Sequence, residues 1–501
     1  MDSVIRNIGL NWISEKAYHF KDSPYVEQSF QKLEENIKDL QEKLQKEINR
    51  IITNTPQEDT VSIQFYTYEQ AVKNNLNIPS YIPKNINIRW IKLGSFDEGG
   101  PCGENNTFIE KEVQLGVRIT NIHTSGKSLI FYDVQQEGVH LQILCNKQFY
   151  EKESDFNQIN SLFKTEDIIG VTGRPHRNKN GKLSIFVNKI ILLSPCLHML
   201  PSLQSGLKDQ DTRYRKRYLD LITNQEIRNI FITRTKVIQY LRNFLNNRNY
   251  LEVETPQINM IPAGEATLGG IERVYEIGKS FRNESIDRTH NPEQTSCELY
   301  QAYADYEYMI EIVETFLSGL VKEITGSYKI NFHPQEKNYK TENFYEIDFT
   351  PPFKRLPIMP ALSEKLGAIK FPENLEKVDC RNPTFITDYP NFMSPLAKYH
   401  RNKPSVNEKF QLFANFYQLC NGFTEINNPF VQRKNMLQQI SDKNKRDNKA
   451  ILYDKEFCEC LEHGLCPAAG CRFEIDRIIM LLTDNINIQE VLLFPAIKPI
   501  I

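Results

Sequence analysis

The sequence lacks any apolar run of the roughly 18 residues that a helix needs to cross a bilayer. Its first residues also lack the charged, apolar and small-residue pattern of a secretory signal. We therefore expect a cytoplasmic protein without a membrane partner. The 10 cysteines show neither the paired Cys-x-x-Cys spacing of a zinc site nor the density of a small disulfide-bonded domain. We interpret them as reduced thiols.

An excess of charge of one sign is missing as well, because 61 Lys and Arg residues face 63 Asp and Glu residues. A net charge of −2 excludes a protein whose whole surface clamps nucleic acid, and we expect no DNA partner. A contact with RNA must therefore use local basic tracts. Residues 174–182 form one such tract, although on its own such a tract is more often a solvated hairpin turn, which its Asn-Gly pair indicates.

The length of 501 residues, with 40% hydrophobic and 25% charged residues, indicates a soluble globular protein of several domains. The pattern changes near residues 111 and 201. Residues 1–110 begin with an amphipathic helix pattern over 25–52, where apolar residues recur at spacings of three and four. Residues 111–200 consist of short strand patterns, and residues 201–501 alternate long helical patterns with strands.

The strand patterns of the middle region number five, separated by polar turns: Val113–Ile119, Leu129–Asp133, Val139–Leu144, Ile168–Gly173 and Leu183–Leu193. Five such strands predict a small barrel of the OB type, whose exposed sheet face binds single-stranded nucleic acid by stacking and hydrogen bonding. Arg118, Phe131 and Gln142 are the right chemical types for such a face. For an aromatic residue on its own, a place in the core would be the simpler interpretation of Phe131.

The most informative stretch lies in the third region, where Arg282 and Glu284 stand within Phe-Arg-Asn-Glu and His290 follows. A guanidinium group can bind an α-phosphate and a carboxylate with two hydrogen bonds, and a carboxylate can accept a hydrogen bond from an adenine amino group. The pattern therefore favours a nucleotide site. An isolated Arg-x-Glu would more often be a structural ion pair.

This stretch resembles motif 2 of class II aminoacyl-tRNA synthetases, and the continuation from Cys297 to Tyr306 is similar to the lysyl-tRNA synthetase version. The segment Tyr250–Pro256 resembles motif 1, and Phe473–Arg477 resembles motif 3. The resemblance covers about Val113 to Pro499. It implies an α+β (mixed) architecture, in which an OB-type β-barrel that binds the anticodon precedes a class II catalytic domain built on an antiparallel sheet.

The resemblance also implies an activity and its partners. The activity is a lysine–tRNA ligase that makes lysyl-AMP from lysine and ATP, with Mg²⁺ as cofactor, and passes lysine to tRNA(Lys). Motif 1 implies a homodimer. The resemblance assigns catalysis to Arg282, Glu284 and Arg477 and ATP binding to these three with His290 and Asn291. It assigns lysine binding to Gly264, Glu298, Tyr300, Asn421, Phe423 and Glu425. It assigns anticodon binding to Arg118, Phe131 and Gln142.

The lysine assignment also has a chemical basis. An ε-ammonium group is captured selectively by carboxylates at the far end of a pocket, together with a hydrogen-bonding group that rejects shorter or neutral side chains. Glu298, Tyr300 and Glu425 supply these groups. A pocket for aspartate or asparagine would need cationic or neutral partners instead.

The sequence departs from the family pattern inside the expected site. Gln411 and Gln418 stand at the family's two metal-binding glutamates, and Gln294 stands at a phenylalanine expected under the adenine. Two amides in place of two carboxylates should weaken Mg²⁺ binding. Arg472 and Glu474 replace residues of the glycine-rich run in motif 3, where bulk and charge would approach ATP.

Two segments are also shorter than in the family, one between Ala266 and Gly269 and one after Lys370. Three interpretations follow. The chain is a lysine–tRNA ligase, or a catalytically impaired paralogue that retains tRNA or partner binding, or its missing segments are errors in the predicted gene. The sequence alone leaves all three open.

The region before Val113 loosely resembles the end of an alanyl-tRNA editing domain around Cys102 and Asn106. That family holds zinc with histidines that are missing here, and an amide is a poor zinc ligand. We interpret the region as an editing-like remnant without metal. An unrelated appendage is an equal alternative.

Overall fold

A computed structural model describes residues 112–177, 183–198, 200–201, 207–256, 269–282, 285–334, 344–358, 380–446 and 455–497. The chain folds into two compact units: the first holds the residues up to 134 and residues 142–198, and the second holds residues 135–141 and the residues from 199 on. The first contains a closed barrel and the second a large mixed sheet, so the predicted fold class is confirmed. Among the residues described, no helix combines the length and the apolarity that crossing a membrane requires.

The barrel consists of five strands in the order β1-β2-β3-β5-β4. Their bounds are β1 Val113–Ser125, β2 Leu129–Gln136, β3 Val139–Asn146, β4 Ile168–Arg177 and β5 Leu183–Ser194, with the short helix α1 Phe156–Asn160 before β4. Strands β3 and β5 pair in parallel, whereas β4 pairs antiparallel with both β1 and β5. The pairing of β1 with β4, the two ends of this order, therefore closes the sheet without an open edge.

The barrel core follows from alternation along each strand. In β2, Tyr132 and Val134 are fully buried, whereas Phe131 and Asp133, which alternate with them along the strand, are half-buried. The Tyr132 hydroxyl donates to Asn160 Oδ1 at 2.6 Å, which satisfies the one polar atom that this tyrosine brings into the core. Phe131 therefore lies on the outer face of the barrel and does not belong to its core.

The second unit is built on an eight-stranded sheet in the order β11-β12-β13-β14-β15-β8-β7-β6. The bounds are β6 Leu251–Glu252, β7 Arg273–Phe281, β8 Glu293–Ala302, β11 Lys354–Pro357, β12 Thr384–Thr387, β13 Lys409–Ala414, β14 Tyr417–Thr424 and β15 Ala468–Glu474. A separate hairpin pairs β9 Lys329–Phe332 with β10 Tyr345–Asp348. Only the two outermost pairs of the large sheet are parallel, and the strands between them are antiparallel.

The helices of this unit are α2 Gln210–Arg215, α3 Arg217–Thr223, α4 Gln225–Asn246, α5 Tyr306–Thr325, α6 Pro429–Arg446, α7 Lys455–Glu462, α8 Ile475–Leu482 and α9 Ile488–Val491. Helix α4 begins at Gln225, where Asn224 caps it by accepting from the backbone N–H groups of Glu226 and Ile227. Helix α5 begins at the Asp305 cap and ends at Gly326, whose φ of 78° continues the chain in the left-handed region.

The core of the second unit lies between these helices and one face of the sheet. Helix α5 contributes a row of fully buried apolar residues that includes Met309, Val313 and Phe316. From the sheet, Cys297, Cys420 and Phe473 join the same cluster. Because neighbouring residues of a strand point to opposite faces, residues 298, 421 and 472 face away from this core. Two of the candidate lysine-binding residues, Glu298 and Asn421, therefore lie on that other face.

Candidate active site

The register of four central strands aligns the candidate residues in two rows. In the first row, Glu298 of β8 is opposite Arg472 of β15, Arg472 is opposite Asn421 of β14, and Asn421 is opposite Gln411 of β13. In the next row, Tyr300, Gly470 and Phe423 are aligned in the same way. Directly opposed side chains lie about 4.5–5.5 Å apart at Cβ. The fold thus brings together residues that are more than 120 positions apart in sequence.

Two carboxylates and a tyrosine meet at one end of these rows. The Tyr300 hydroxyl donates to Glu298 Oε2 at 3.3 Å. Burial together with the nearby Glu298 carboxylate raises the pKa of Glu425 to about 8. Burial, Glu298 and Glu425 also raise the pKa of Tyr300 well above its usual value. A carboxyl group held near a second carboxylate in a desolvated place is a site for a cation.

Glycine is required beside this tyrosine. A Cβ atom at Gly470 would lie 2.5 Å from the ring of Tyr300, so the ring occupies the space that any other residue would fill. On the neighbouring strand, Asn421 and Phe423 are half-buried. The Asn421 Oδ1 atom is buried and has no hydrogen-bond partner, which leaves an acceptor available on the same face.

Arg472 reaches into this group of residues, a contact that the sequence did not reveal. Its Nη1 donates to Glu298 Oε1 at 3.1 Å and its Nη2 to Ser280 Oγ at 2.6 Å. Its Nε lies 3.3 Å from Glu474 Oε1. The spacing of Gly470, Arg472 and Glu474 at every second position of one strand was the available signal, because it places all three on one face.

Arg282 follows directly after β7, and its backbone N–H donates to the carbonyl of Pro292. Its side chain is 42% exposed, and its Nη2 lies 4.0 Å from Glu474 Oε1. Glu474 is buried, and its Oε2 has no hydrogen-bond partner. The expected phosphate-binding arginine therefore faces an acid of the same chain.

Arg477 lies in the first turn of α8, and its Nη1 donates to the carbonyl of Gln418 at 3.2 Å. Its neighbour Asp476 has a structural task. Asp476 Oδ1 accepts from Arg234 at 2.7 Å, and its Oδ2 accepts from the backbone N–H of Thr295 at 2.8 Å. These bonds fasten the motif 3 helix to α4 and β8, which fixes the position of Arg477 on the sheet.

The two amides at the family's metal positions are bonded to each other. Gln411 Nε2 donates to Gln418 Oε1 at 3.1 Å, and Gln411 Oε1 accepts from the Tyr389 hydroxyl at 2.6 Å. Among the described residues, no group of three or more His, Cys, Asp or Glu side chains could hold a metal ion. These residues do not fit a Mg²⁺ ion, since a hard cation prefers carboxylate oxygens.

The remaining residues of the motif 2 region are held locally. His290 Nδ1 lies 3.0 Å from Asp287 Oδ2. Asn291 is buried, and its Nδ2 donates to the carbonyl of Glu293 at 2.7 Å. Gln294 is buried in β8 opposite Ser280. None of the hydrogen bonds described for His290 or Asn291 links them to the Glu298 row.

The three barrel residues lie on the outer faces of three consecutive strands. Arg118 of β1 donates to the carbonyl of Glu166 at 2.8 Å. Gln142 of β3 donates to Asp133 Oδ1 at 3.1 Å, and Asp133 shares its face of β2 with Phe131. The barrel thus presents an aromatic ring next to a fixed amide and a carboxylate.

Several sequence predictions lie outside the described residues. These are Gly264, Glu284, the shortened segments after Ala266 and Lys370, the helix pattern over 25–52, and the editing-like region with Cys102 and Asn106.

Comparison with known proteins agrees with this geometry. Residues 113–193 match the OB-fold nucleic acid binding domain of the anticodon type, and residues 209–268 and 265–498 match class II tRNA synthetases of the D, K and N group. The second match consists of two parts, which overlap at residues 265–268. Neither match extends into the first 112 residues.

Curated relatives cover most of the chain. The chain is 39% identical to lysine–tRNA ligase cla4 of Cladosporium cladosporioides, over 79% of the chain and 77% of that protein. It is 39% identical to a probable cytoplasmic lysine–tRNA ligase of Encephalitozoon cuniculi, over 74% and 84%. For the lysine–tRNA ligase of Aquifex aeolicus the identity is 35%, over 78% and 73%. The chain belongs to the class II aminoacyl-tRNA synthetases, in the lysine–tRNA ligase family.

Proposed function

We propose that this chain joins lysine to tRNA(Lys) in two steps. In the first, a carboxylate oxygen of lysine attacks the α-phosphorus of ATP, lysyl-AMP forms and pyrophosphate leaves. In the second, a ribose hydroxyl at the 3′ end of tRNA attacks the lysyl carbonyl, and AMP leaves. The observation that carries this proposal is the cation site formed by Glu298, Glu425 and Tyr300 on the sheet.

The lysine ammonium lies between the carboxylates of Glu298 and Glu425, and the Tyr300 hydroxyl orients Glu298. The charge of the ammonium offsets the repulsion between the two acids, so a neutral side chain of equal length would leave the Glu425 carboxylate without a cationic partner. Phe423 packs along the methylene chain, and the free Asn421 Oδ1 accepts a hydrogen bond from the substrate. The resemblance to the family also assigns Gly264 to lysine binding.

Arg282 holds the lysine carboxylate and the α-phosphate of ATP together, which supplies the proximity that the first step needs. Arg477 lies over the adenine, and Glu284, His290 and Asn291 contact the nucleotide. This chain's residues do not fit Mg²⁺, so we assign no step to a protein-bound metal ion. Mg²⁺ would instead be held by the phosphate oxygens of ATP, where it would neutralise their charge.

The outer face of the barrel binds the anticodon of tRNA(Lys). Phe131 stacks on a base, and Gln142 and Arg118 hydrogen-bond to base edges or phosphate. We further propose a homodimer that forms through the motif 1 segment around β6, and a cytoplasmic location. Light scattering on the purified protein tests the dimer.

Lysine-dependent exchange of pyrophosphate into ATP tests the first step. The wild-type chain should support exchange with lysine and not with norleucine, which has the same carbon chain and α-ammonium group but lacks the ε-ammonium group. Glu425→Gln should lower kcat/KM for lysine by about 30-fold or more, because truncating one partner of a buried charged contact costs about 2–5 kcal/mol.

A matched control is Glu346→Gln, which removes an exposed acid of β10 paired with Lys329 and should leave exchange unchanged. Exchange that depends equally on lysine and norleucine would refute the pocket. Binding of tRNA(Lys) without any exchange would favour the impaired paralogue instead.

A further inference from the structure

The candidate pocket contains two charges of the chain's own where the substrates' charges belong. The Arg472 guanidinium contacts Glu298 at 3.1 Å, the carboxylate assigned to the lysine ammonium. The Glu474 carboxylate lies 4.0 Å from Arg282, the cation assigned to the α-phosphate and the lysine carboxylate. A cation on Glu298 and an anion near Arg282 reproduce the charge pattern of lysyl-AMP. Both residues occupy positions of the glycine-rich run of motif 3.

The side chains of Arg472 and Glu474 are largely buried, but not all of their polar atoms have hydrogen-bond partners. The Arg472 side chain is 17% exposed and that of Glu474 is 6% exposed. Arg472 Nε and Glu474 Oε2 are buried atoms without a hydrogen-bond partner. A buried ion pair with open hydrogen-bonding positions recovers little of its desolvation cost. Such a pair can be displaced by a ligand that satisfies the same groups better.

The two charges are also connected, because Arg472 contacts Glu298 and Glu474 at once. When a lysine ammonium takes Glu298, the guanidinium keeps only Glu474 as its charged partner. Pairing with Arg472 then neutralises Glu474 and reduces its hold on Arg282, which becomes available to a phosphate. When a phosphate takes Arg282 first, Glu474 is displaced toward Arg472 and draws it away from Glu298. Each ligand therefore prepares the place of the other.

We propose that Arg472 and Glu474 form an internal substitute for the substrates, which closes the empty pocket and makes the binding of lysine and ATP mutually dependent. This inference rests on the proposed function. The coupling is reciprocal, since the factor by which ATP strengthens lysine binding equals the factor by which lysine strengthens ATP binding. A family site with glycine at both positions has no such coupling device.

Calorimetric titration of the full chain with lysine, with and without a non-hydrolysable ATP analogue, tests the proposal. For the wild type, the analogue should lower the lysine Kd by at least about fivefold. Arg472→Met retains the side-chain volume and removes the charge. Without the analogue, its lysine Kd should be about tenfold lower than that of the wild type, because no internal guanidinium competes with the lysine ammonium for Glu298. In Arg472→Met, the ATP analogue should change the lysine Kd little.

Two further variants complete the experiment. Glu474→Gln keeps the shape of the side chain. It should lower the Kd of the ATP analogue and weaken the coupling between the two ligands. If Arg472→Met does not fold, this variant alone tests the proposal. Arg355→Gly is the matched control, because Arg355 is also a strand arginine paired with an acid, Glu307, at 2.6 Å. It should leave the lysine Kd and the coupling at wild-type values.

The outcomes separate this inference from the function on which it rests. Lysine binding that is equal or weaker in Arg472→Met, while Glu425→Gln weakens binding as expected, would overturn the internal substitute alone. Equal coupling between lysine and the ATP analogue in the wild type and in Glu474→Gln would also overturn the internal substitute alone. No lysine binding in any variant would overturn the inference together with the proposed function.

Discussion

Binding of lysine should release a proton from Glu425. In the free protein, burial and the Glu298 carboxylate raise the pKa of Glu425 to about 8. At pH 7 a group with this pKa is protonated in about 90% of molecules. An ammonium ion in contact with the carboxylate favours its charged form and returns the pKa to its ordinary range. The proton therefore leaves when the ligand arrives.

The size and sign of the effect follow from linkage. At pH 7 about 0.9 proton should be released per lysine bound, and the apparent affinity should rise about fivefold between pH 7 and pH 8. Between pH 6 and pH 8 the rise should be about 50-fold. Affinity rises with pH because the protonated form of Glu425 cannot pair with the ammonium. The ligand's own ε-ammonium stays charged over this range, since its pKa is about 10.4.

Calorimetry in buffers of different ionisation enthalpy measures the released protons directly. In Glu425→Gln the release should fall to nearly zero and lysine binding should weaken. Glu166→Gln is the matched control, because burial also raises the pKa of Glu166, but this residue belongs to the barrel. Its substitution should leave the proton release unchanged. A wild-type release near zero, or equal releases in wild type and Glu425→Gln, would refute the carboxylate-pair argument.

Three further predictions address other parts of the molecule. Phe131→Ala should weaken tRNA(Lys) binding by about 1–3 kcal/mol in a filter assay while lysine binding stays unchanged; equal tRNA affinity would contradict the stacking role. Restoring Gln411→Glu together with Gln418→Glu should raise pyrophosphate exchange and lower the Mg²⁺ concentration it needs, and no response would remove the metal-site argument. Asp476→Asn should cost about 3–5 kcal/mol in urea unfolding because it breaks a buried pair, whereas exposed Asp211→Asn should cost less than about 1 kcal/mol.

Much of the fold could be predicted from local patterns. The five barrel strands occur at the predicted places, because alternation between core and outer face is written into each strand. The boundaries were less predictable. Helix α4 starts at Gln225 because a capping side chain decides it, and within the motif 1 segment Tyr250–Pro256 only Leu251–Glu252 form a strand. After β6 the Thr255 backbone N–H donates to the side chain of Glu276, a contact that no local pattern contains.

The chemical groups at the site could be predicted from the sequence, but their protonation and their mutual contacts could not. The motifs supplied Glu298, Tyr300 and Glu425 by type and spacing. The elevated pKa of Glu425 depends on how closely another strand brings Glu298 and on how little water remains. The bond between Gln411 and Gln418 likewise requires two adjacent strands to meet in one register.

The sequence by itself determined the barrel, the class of the sheet and the family, and it supplied the candidate residues for lysine and ATP, because each is encoded by residue type at short spacing. Only the tertiary structure decided that Arg472 contacts Glu298 and that Glu474 faces Arg282. Strand register sets these distances, and register is fixed by pairing between segments 174 positions apart. A charge acts through distance and desolvation, and a linear sequence specifies neither.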